Sequence, residues 1–294
     1  MIRITNCRLC PRVCGADRTS GQGDCGGGNQ VRVARAALHF WEEPCISGQN
    51  GSGTVFFSGC PLRCCFCQNG KISAGNFGKE ISVNRLAEIF LMLQAQGAHN
   101  INLVNPTHYL PWVRDALQLA RLRVPVVWNS GGYERAEALR AMEGLVDIYL
   151  PDLKYASSVR AERYSGASDY WAAATKAIRE MHRQTGKPVW DASGLLRKGV
   201  VIRHLVLPKG VQDAAAVLDW IAGTFLPGEV LVSLMSQYTP CGDLERFPEL
   251  RRRVSSYEYK IVLAHAQSLG LEGFMQERSS AREEYTPPFD LEGV

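Results

Sequence analysis

The sequence predicts an α/β fold built on a parallel sheet. Short apolar runs alternate with longer amphipathic stretches six times along the chain. The apolar runs are rich in Val, Ile and Leu with few polar residues between them, as strands covered on both faces require. The 294 residues are 46% hydrophobic, enough to bury a core beneath such a sheet.

Residues 7–29 come first, rich in Cys, Gly and Arg and almost without apolar periodicity; such a stretch makes no core unaided. Residues 1–50 are read as a small Cys-rich N-terminal extension and 51–294 as the main domain with a C-terminal tail. Strands are expected at 54–57, 101–104, 125–128, 146–150, 200–207 and 230–235, and helices at 83–96, 110–122, 134–142, 170–184, 214–225 and 248–269. Ser82 and Asp213 read as N-caps, Gly97 and Gly144 as helix stops. Periodicity leaves open whether the sheet stays open or curls into a partial barrel. The tail, 283–294, contains Pro287 and Pro288 and is expected to be extended. Its run from Tyr285 to Asp290 covers either the barrel mouth or an open bottom.

A net charge of +4, from 33 Lys plus Arg and 29 Asp plus Glu, is too mild to call for nucleic acid or a membrane surface. The basic run 251–253 reads as a solvated face. No apolar run reaches the roughly 18 residues of a membrane span; the nearest, 214–226, is interrupted by Asp219 and Gly223. The first ten residues lack the apolar core of a signal peptide. Ten cysteines without an export signal point to metal ligands or catalytic thiols in a reducing compartment, so a cytoplasmic location is expected.

Cys60-Pro-Leu-Arg-Cys64-Cys-Phe-Cys67 carries the strongest signal. It begins three residues after the first predicted strand, at the sheet edge where α/β folds build their sites. Three thiolates can hold three irons of a [4Fe–4S] cluster, leaving the fourth open to an amine and a carboxylate. S-adenosylmethionine offers that pair, and an electron into its sulfonium releases a 5′-deoxyadenosyl radical. Zinc prefers four ligands and suits this triplet poorly.

Cys-x3-Cys-x-aromatic-Cys, with Phe66 as the aromatic, resembles the signature of radical S-adenosylmethionine enzymes. Over nearly the whole chain the resemblance is to the pyruvate formate-lyase activating enzyme family, in an activating-enzyme-related subgroup. It is carried by Leu38-His-Phe-Trp-Glu-Glu-Pro-Cys-Ile-Ser-Gly48, the run from Gly51 to Cys60, Trp128-Asn-Ser-Gly-Gly-Tyr133, Leu150-Pro-Asp-Leu-Lys154 and Val201-Ile-Arg-His-Leu-Val-Leu-Pro208. The resemblance implies a partial (β/α)6 TIM-type barrel with cluster and S-adenosylmethionine at its top. It implies Phe66 near the adenine, Asn129 and Ser130 near the ribose, and Arg203 near the methionyl carboxylate or ribose. Asp152 and Lys154 would face the cofactor or the substrate radical, against the plainer reading of a surface ion pair. Where many relatives carry Gly-Gly-Glu, this chain has Val104-Asn-Pro-Thr-His108. Asn105, Thr107 and His108 are therefore expected to take over polar contacts to the cofactor, with His108 alternatively a proton carrier or a satisfied polar residue.

Cys7, Cys10, Cys14 and Cys25 form a second constellation, with Arg8, Arg12 and Arg18 to offset its charge. Zinc, an auxiliary iron–sulfur cluster and reduced metal-free thiols all fit the spacing. Cys45 and Cys65 read as small core residues, and Cys241 as a core residue or one facing the substrate. The function expected is a radical enzyme that takes electrons from a low-potential flavodoxin- or ferredoxin-type donor. Its hydrogen abstraction falls on a glycine of a glycyl radical enzyme or, alternatively, on a small metabolite or peptide. A non-enzymatic metal-binding protein is the remaining class.

Overall fold

The computed structural model describes residues 2–275 and 287–294. Its strands are β1 (Val31–His39), β2 (Ser52–Phe57), β3 (Lys79–Ile81), β4 (Ile101–Val104), β5 (Val126–Ser130), β6 (Ile148–Pro151), β7 (Val189–Trp190), β8 (Leu196–Leu205), β9 (Leu231–Met235) and β10 (Gly273–Met275). Its helices are α1 (Pro44–Ser47), α2 (Gly70–Ser73), α3 (Val83–Ala95), α4 (Leu110–Ala120), α5 (Ala136–Leu139), α6 (Ser158–Ser165), α7 (Tyr170–Thr185), α8 (Val211–Thr224) and α9 (Ser256–Ser268).

Among the described residues the strands form one sheet in the order β10-β9-β8-β6-β5-β4-β2-β1-β3, with β7 beside β8. The strands β2, β4, β5, β6, β8 and β9 occupy the six expected runs and pair in parallel. The sheet does not close, ending at β10 and β3, and the fold is a partial (β/α)6 TIM-type barrel. β1 was not expected: Arg32 and Arg35 break its apolar run, yet it pairs antiparallel with both β2 and β3.

Strand alternation sorts side chains into two layers. Outward residues such as Leu103, Trp128, Tyr149 and Ile202 pack with the helices in the main core. Inward residues Val127, Ile148, Leu150, Val201 and Leu231 form a separate core closed by Cys45 and Ile46 of α1. One inward step further along these strands come Asn129, Asp152, Arg203 and Ser233. The alternation thus stacks a polar layer on an apolar floor.

Ser82 caps α3 by accepting from the Arg85 N–H, and Gly97 and Gly144 follow helical turns with positive φ, as expected. Asp213 differs. α8 starts after Gly210, and the Asp213 carboxylate accepts instead from the N–H groups of Ala156 and Ser157. The helix expected at 248–269 is a single 3-10 turn, Pro248–Leu250, followed by α9. Ser255 and Glu258 make a reciprocal capping box there, so the helix nucleates late. Arg252 pairs with the same Glu258 at 2.6 Å. Residues 134–142 hold only α5 and a 3-10 turn, Arg140–Met142.

In the tail, residues 287–294 run along β1 without helix: Leu291 N–H donates to Ala34 and Ala36 N–H to Glu292. Phe289 is buried against Phe56 and Ile72. The expectation for 283–286 falls outside the described residues. No helix among the described residues is long and apolar enough to cross a membrane.

Candidate active site at the cysteine loop

The loop after β2 and the C-terminal ends of the parallel strands enclose a cavity of about 270 Å3. Cys60, Cys64, Phe66 and Cys67 line it from the loop. Asn105, Asn129, Ser130, Asp152, Lys154 and Arg203 line it from the strand ends. Gly132 makes the turn after β5 possible: at φ +73°, a Cβ there would lie 2.1 Å from the Asp152 carbonyl oxygen.

One charged network crosses the floor. Asp152 accepts from Lys154 Nζ at 2.5 Å and from Arg203 Nη2 at 2.9 Å. Arg203 also donates to Asn129 Oδ1 at 2.6 Å and to Glu42 Oε2 at 3.4 Å. Asn129 Nδ2 closes the circuit on Glu42 Oε1 at 3.2 Å. Burial alone would raise the Asp152 carboxyl, but Arg203 and Lys154 outweigh it and hold it below the usual carboxylate range. Burial likewise works against the Lys154 ammonium, and Asp152 and Cys64 more than restore it. Both groups are therefore charged at neutral pH. Beneath them, Ser233 donates to the buried Glu43 at 2.6 Å.

The thiols are set for anionic sulfur. Leu62 N–H points at Cys60 Sγ (3.4 Å), Ser165 Oγ at Cys64 Sγ (3.0 Å) and Ser73 Oγ at Cys67 Sγ (3.2 Å). Burial first, then Cys64 and Cys67, push the Cys60 thiol up. Cys64 is raised too, chiefly by burial, with Lys154 acting against it. Thiolates in such a place need the charge of a metal. Three thiols lining one cavity suit a cubane cluster, whose cysteines each take a different iron.

Asn105 holds a left-handed backbone at φ +60°. Its Nδ2 donates to the Gly59 carbonyl at 2.6 Å, and its Oδ1 lies 3.7 Å from Cys60 Sγ. Thr107 and His108, expected at the cofactor, do not line the cavity. The Thr107 hydroxyl donates to buried Glu134 (2.8 Å), which also accepts from Trp128 Nε1 (2.6 Å) and Ser130 Oγ (3.0 Å). His108 is buried with Nε2 on the Ser58 carbonyl at 2.7 Å. The short turn Thr107–Tyr109 carries both side chains behind the strand ends.

Glu42 escaped the sequence reading, since nothing in the spacing ties residue 42 to residue 203. Met235 at the end of β9 and Gln237, Tyr238 and Thr239 after it also line the cavity. Cys241 does not; its Sγ donates to the Phe66 carbonyl at 3.1 Å. Cys45 is buried in the inner core, and Cys65 is half-buried.

The N-terminal cysteines lie outside the cavity, against the back of the cysteine loop. Cys60 N–H donates to the Cys25 carbonyl at 2.9 Å. Arg12 Nε donates to Pro61 at 2.8 Å, and its Nη atoms reach the carbonyls of Gly166 and Ser165.

The family model of the Radical SAM superfamily matches residues 54–208. The uncharacterized protein MJ0674 of Methanocaldococcus jannaschii is 29% identical over 279 residues, covering 91% of this chain and 76% of that protein. Streptococcus suis SuiB bound to S-adenosylmethionine shares the fold with a TM-score of 0.50 and 10% identity, over 74% of this chain and 48% of SuiB. The chain thus spans about half the length of SuiB. A domain of pyruvate-formate lyase-activating enzyme from Bacteroides vulgatus aligns with a TM-score of 0.34 and 12% identity, over 68% of this chain and 97% of that domain. The matched residues run from β2 through β8 and contain the whole cysteine loop, and the chain belongs to the Radical SAM superfamily, whose enzymes use a [4Fe–4S] cluster and S-adenosylmethionine.

Proposed function

We propose that this chain is a radical enzyme of the activating-enzyme type that abstracts hydrogen from a glycine of a partner glycyl radical enzyme. The observation that carries this reading is the single cavity shared by Cys60, Cys64, Cys67, Asn129, Asp152, Lys154 and Arg203. Cys60, Cys64 and Cys67 would hold the cluster. The bound cluster and S-adenosylmethionine supply the 5′-deoxyadenosyl radical that takes the hydrogen atom. Asn129, Ser130 and Arg203 orient the cofactor's polar end, and Phe66 offers an aromatic face to its base. Asp152 fixes Arg203 and Lys154, so both cations are placed before any ligand arrives. The apolar floor beneath this layer keeps water from the radical.

Around the charged network, the lining residues Gln68, Asn69, Gln237 and Thr239 are uncharged amides and a hydroxyl. Such groups pair with peptide N–H and C=O, which supports a polypeptide substrate. The chain's Asn105-Pro-Thr-His108 in place of Gly-Gly-Glu supports a second reading, modification of a different peptide or a small metabolite. Electrons would come from a flavodoxin- or ferredoxin-type donor. Cys7, Cys10, Cys14 and Cys25 would form a second metal site, for zinc or another iron–sulfur cluster.

The reconstituted protein, reduced without oxygen, should turn S-adenosylmethionine into 5′-deoxyadenosine and methionine. Adding a glycyl radical enzyme should then give a doublet radical signal. Cleavage without that doublet across a panel of such partners rejects the activase in favour of the second reading.

A further inference from the structure

Arg18 is 1% exposed. Its Nε donates to the Gly28 carbonyl at 3.0 Å and its Nη1 to the His108 carbonyl at 2.5 Å. Its guanidinium stacks over Trp112 and Tyr109, with ring centroids at 4.8 and 5.4 Å. Among the described residues, its Nη2 is buried without a partner. Among the described residues, no ion pair to a carboxylate neutralises this cation. A buried, unpaired guanidinium is costly, so its counter-charge must come from another group.

The cysteine quartet stands beside it. A Cβ on Gly27, two residues after Cys25, would lie 2.6 Å from Arg18 Nη2. Cys7, Cys10 and Cys25 are buried and Cys14 half-buried. A bound metal takes all four as thiolates, and four thiolates around one zinc ion or an iron–sulfur core keep a net negative charge.

The sulfurs of Cys14 and Cys25 flank the point where a Gly23 Cβ would sit, at 3.4 and 3.5 Å from it. Gly27 N–H already points at Cys25 Sγ at 3.4 Å.

We infer that Cys7, Cys10, Cys14 and Cys25 hold an anionic metal–thiolate centre, zinc or an iron–sulfur cluster, whose negative charge is the counter-ion of Arg18. This deepens the reading of the quartet as a metal site, on which it rests. The centre lies directly behind the radical cluster's loop. Gly59, at φ +84°, comes so close that a Cβ there would meet the Cys25 carbonyl oxygen at 2.4 Å.

The test uses the Cys60/Cys64/Cys67→Ala variant beside the unaltered protein, both purified without oxygen. Thiolate-bound metal should remain in the variant, about four irons with matching sulfide for a cluster or one zinc for a tetrahedral site; no metal overturns the site. An unaltered protein with no more iron than the variant would instead sink the radical-site reading. In the same triple-Ala background, Arg18→Met should bind that metal roughly ten- to hundred-fold more weakly against a chelator, and Arg18→Lys should stay close to the parent. Circular dichroism checks the fold. If Arg18→Met does not fold, Arg18→Gln, which keeps a donor without the charge, is read in the same way. Unchanged metal affinity in the neutral variant overturns the counter-ion.

Discussion

Asp152 and Arg203 stand in register at the ends of neighbouring parallel strands, joined by a backbone bridge and by a 2.9 Å ion pair. Lys154 takes the other carboxylate oxygen at 2.5 Å. Asp152→Asn leaves two buried cations facing each other across a neutral amide. We expect a loss of about 3 kcal/mol in unfolding free energy, read from denaturant midpoints. Adding Lys154→Met should recover part of it, because the repulsion is then relieved. An unchanged midpoint in the single variant would show that solvent already screens the pair.

Glu42 holds the far side of the same network, accepting from Arg203 and Asn129. Glu42→Gln keeps the volume but loosens both side chains. Binding of S-adenosylmethionine to the anoxic protein should weaken about tenfold, roughly 1.4 kcal/mol, while Glu42→Asp falls between. Equal binding by all three proteins would restrict Glu42 to a structural part.

Ser165 and Ser73 aim hydroxyls at the sulfurs of Cys64 and Cys67. Hydrogen bonds to cluster sulfur stabilise the reduced, more negative state. Ser165→Ala and Ser73→Ala should each lower the reduction potential, with the double variant lowest, in a titration followed by electron paramagnetic resonance. A rise in either variant would contradict the direction of these bonds.

The six parallel strands were legible because each is a short Val, Ile and Leu run buried on both faces. The cysteine loop was legible because its three cysteines are local in sequence, and they line one cavity. β1 was not, since Arg32 and Arg35 interrupt it and its partners lie on β2 and β3. The network at Arg203 was half legible. Asp152 and Lys154 follow a buried strand, whereas Glu42 arrives from the segment before β2, over 160 residues earlier in the chain. The placing of Thr107 and His108 off the cavity lining was not legible for a related reason: nothing in Asn105-Pro-Thr-His108 says that a single 3-10 turn carries them inward. Glu134, the partner that holds Thr107, stands 27 residues away.

His108 makes the fold sensitive to mild acid. Its Nε2 meets the Ser58 carbonyl, and its buried Nδ1 has no partner. Burial lowers its pKa from the ordinary 6.5 to about 3, with Arg18 adding to the effect and the Ser58 carbonyl opposing it. The folded ring therefore stays neutral while the unfolded chain takes up a proton below 6.5. Stability is full above that value and falls as pH drops through it toward 3, by up to about 1.4 kcal/mol per unit. His204, also lowered by burial, adds in the same direction. His108→Gln keeps a donor for Ser58 but cannot titrate. Between pH 7 and pH 5 its stability curve should be flatter than that of the unaltered protein by about 2 kcal/mol at the acid end. Unfolding midpoints across that range decide the matter: parallel curves would mean that His108 takes its proton in the folded state, and the buried neutral ring would be wrong.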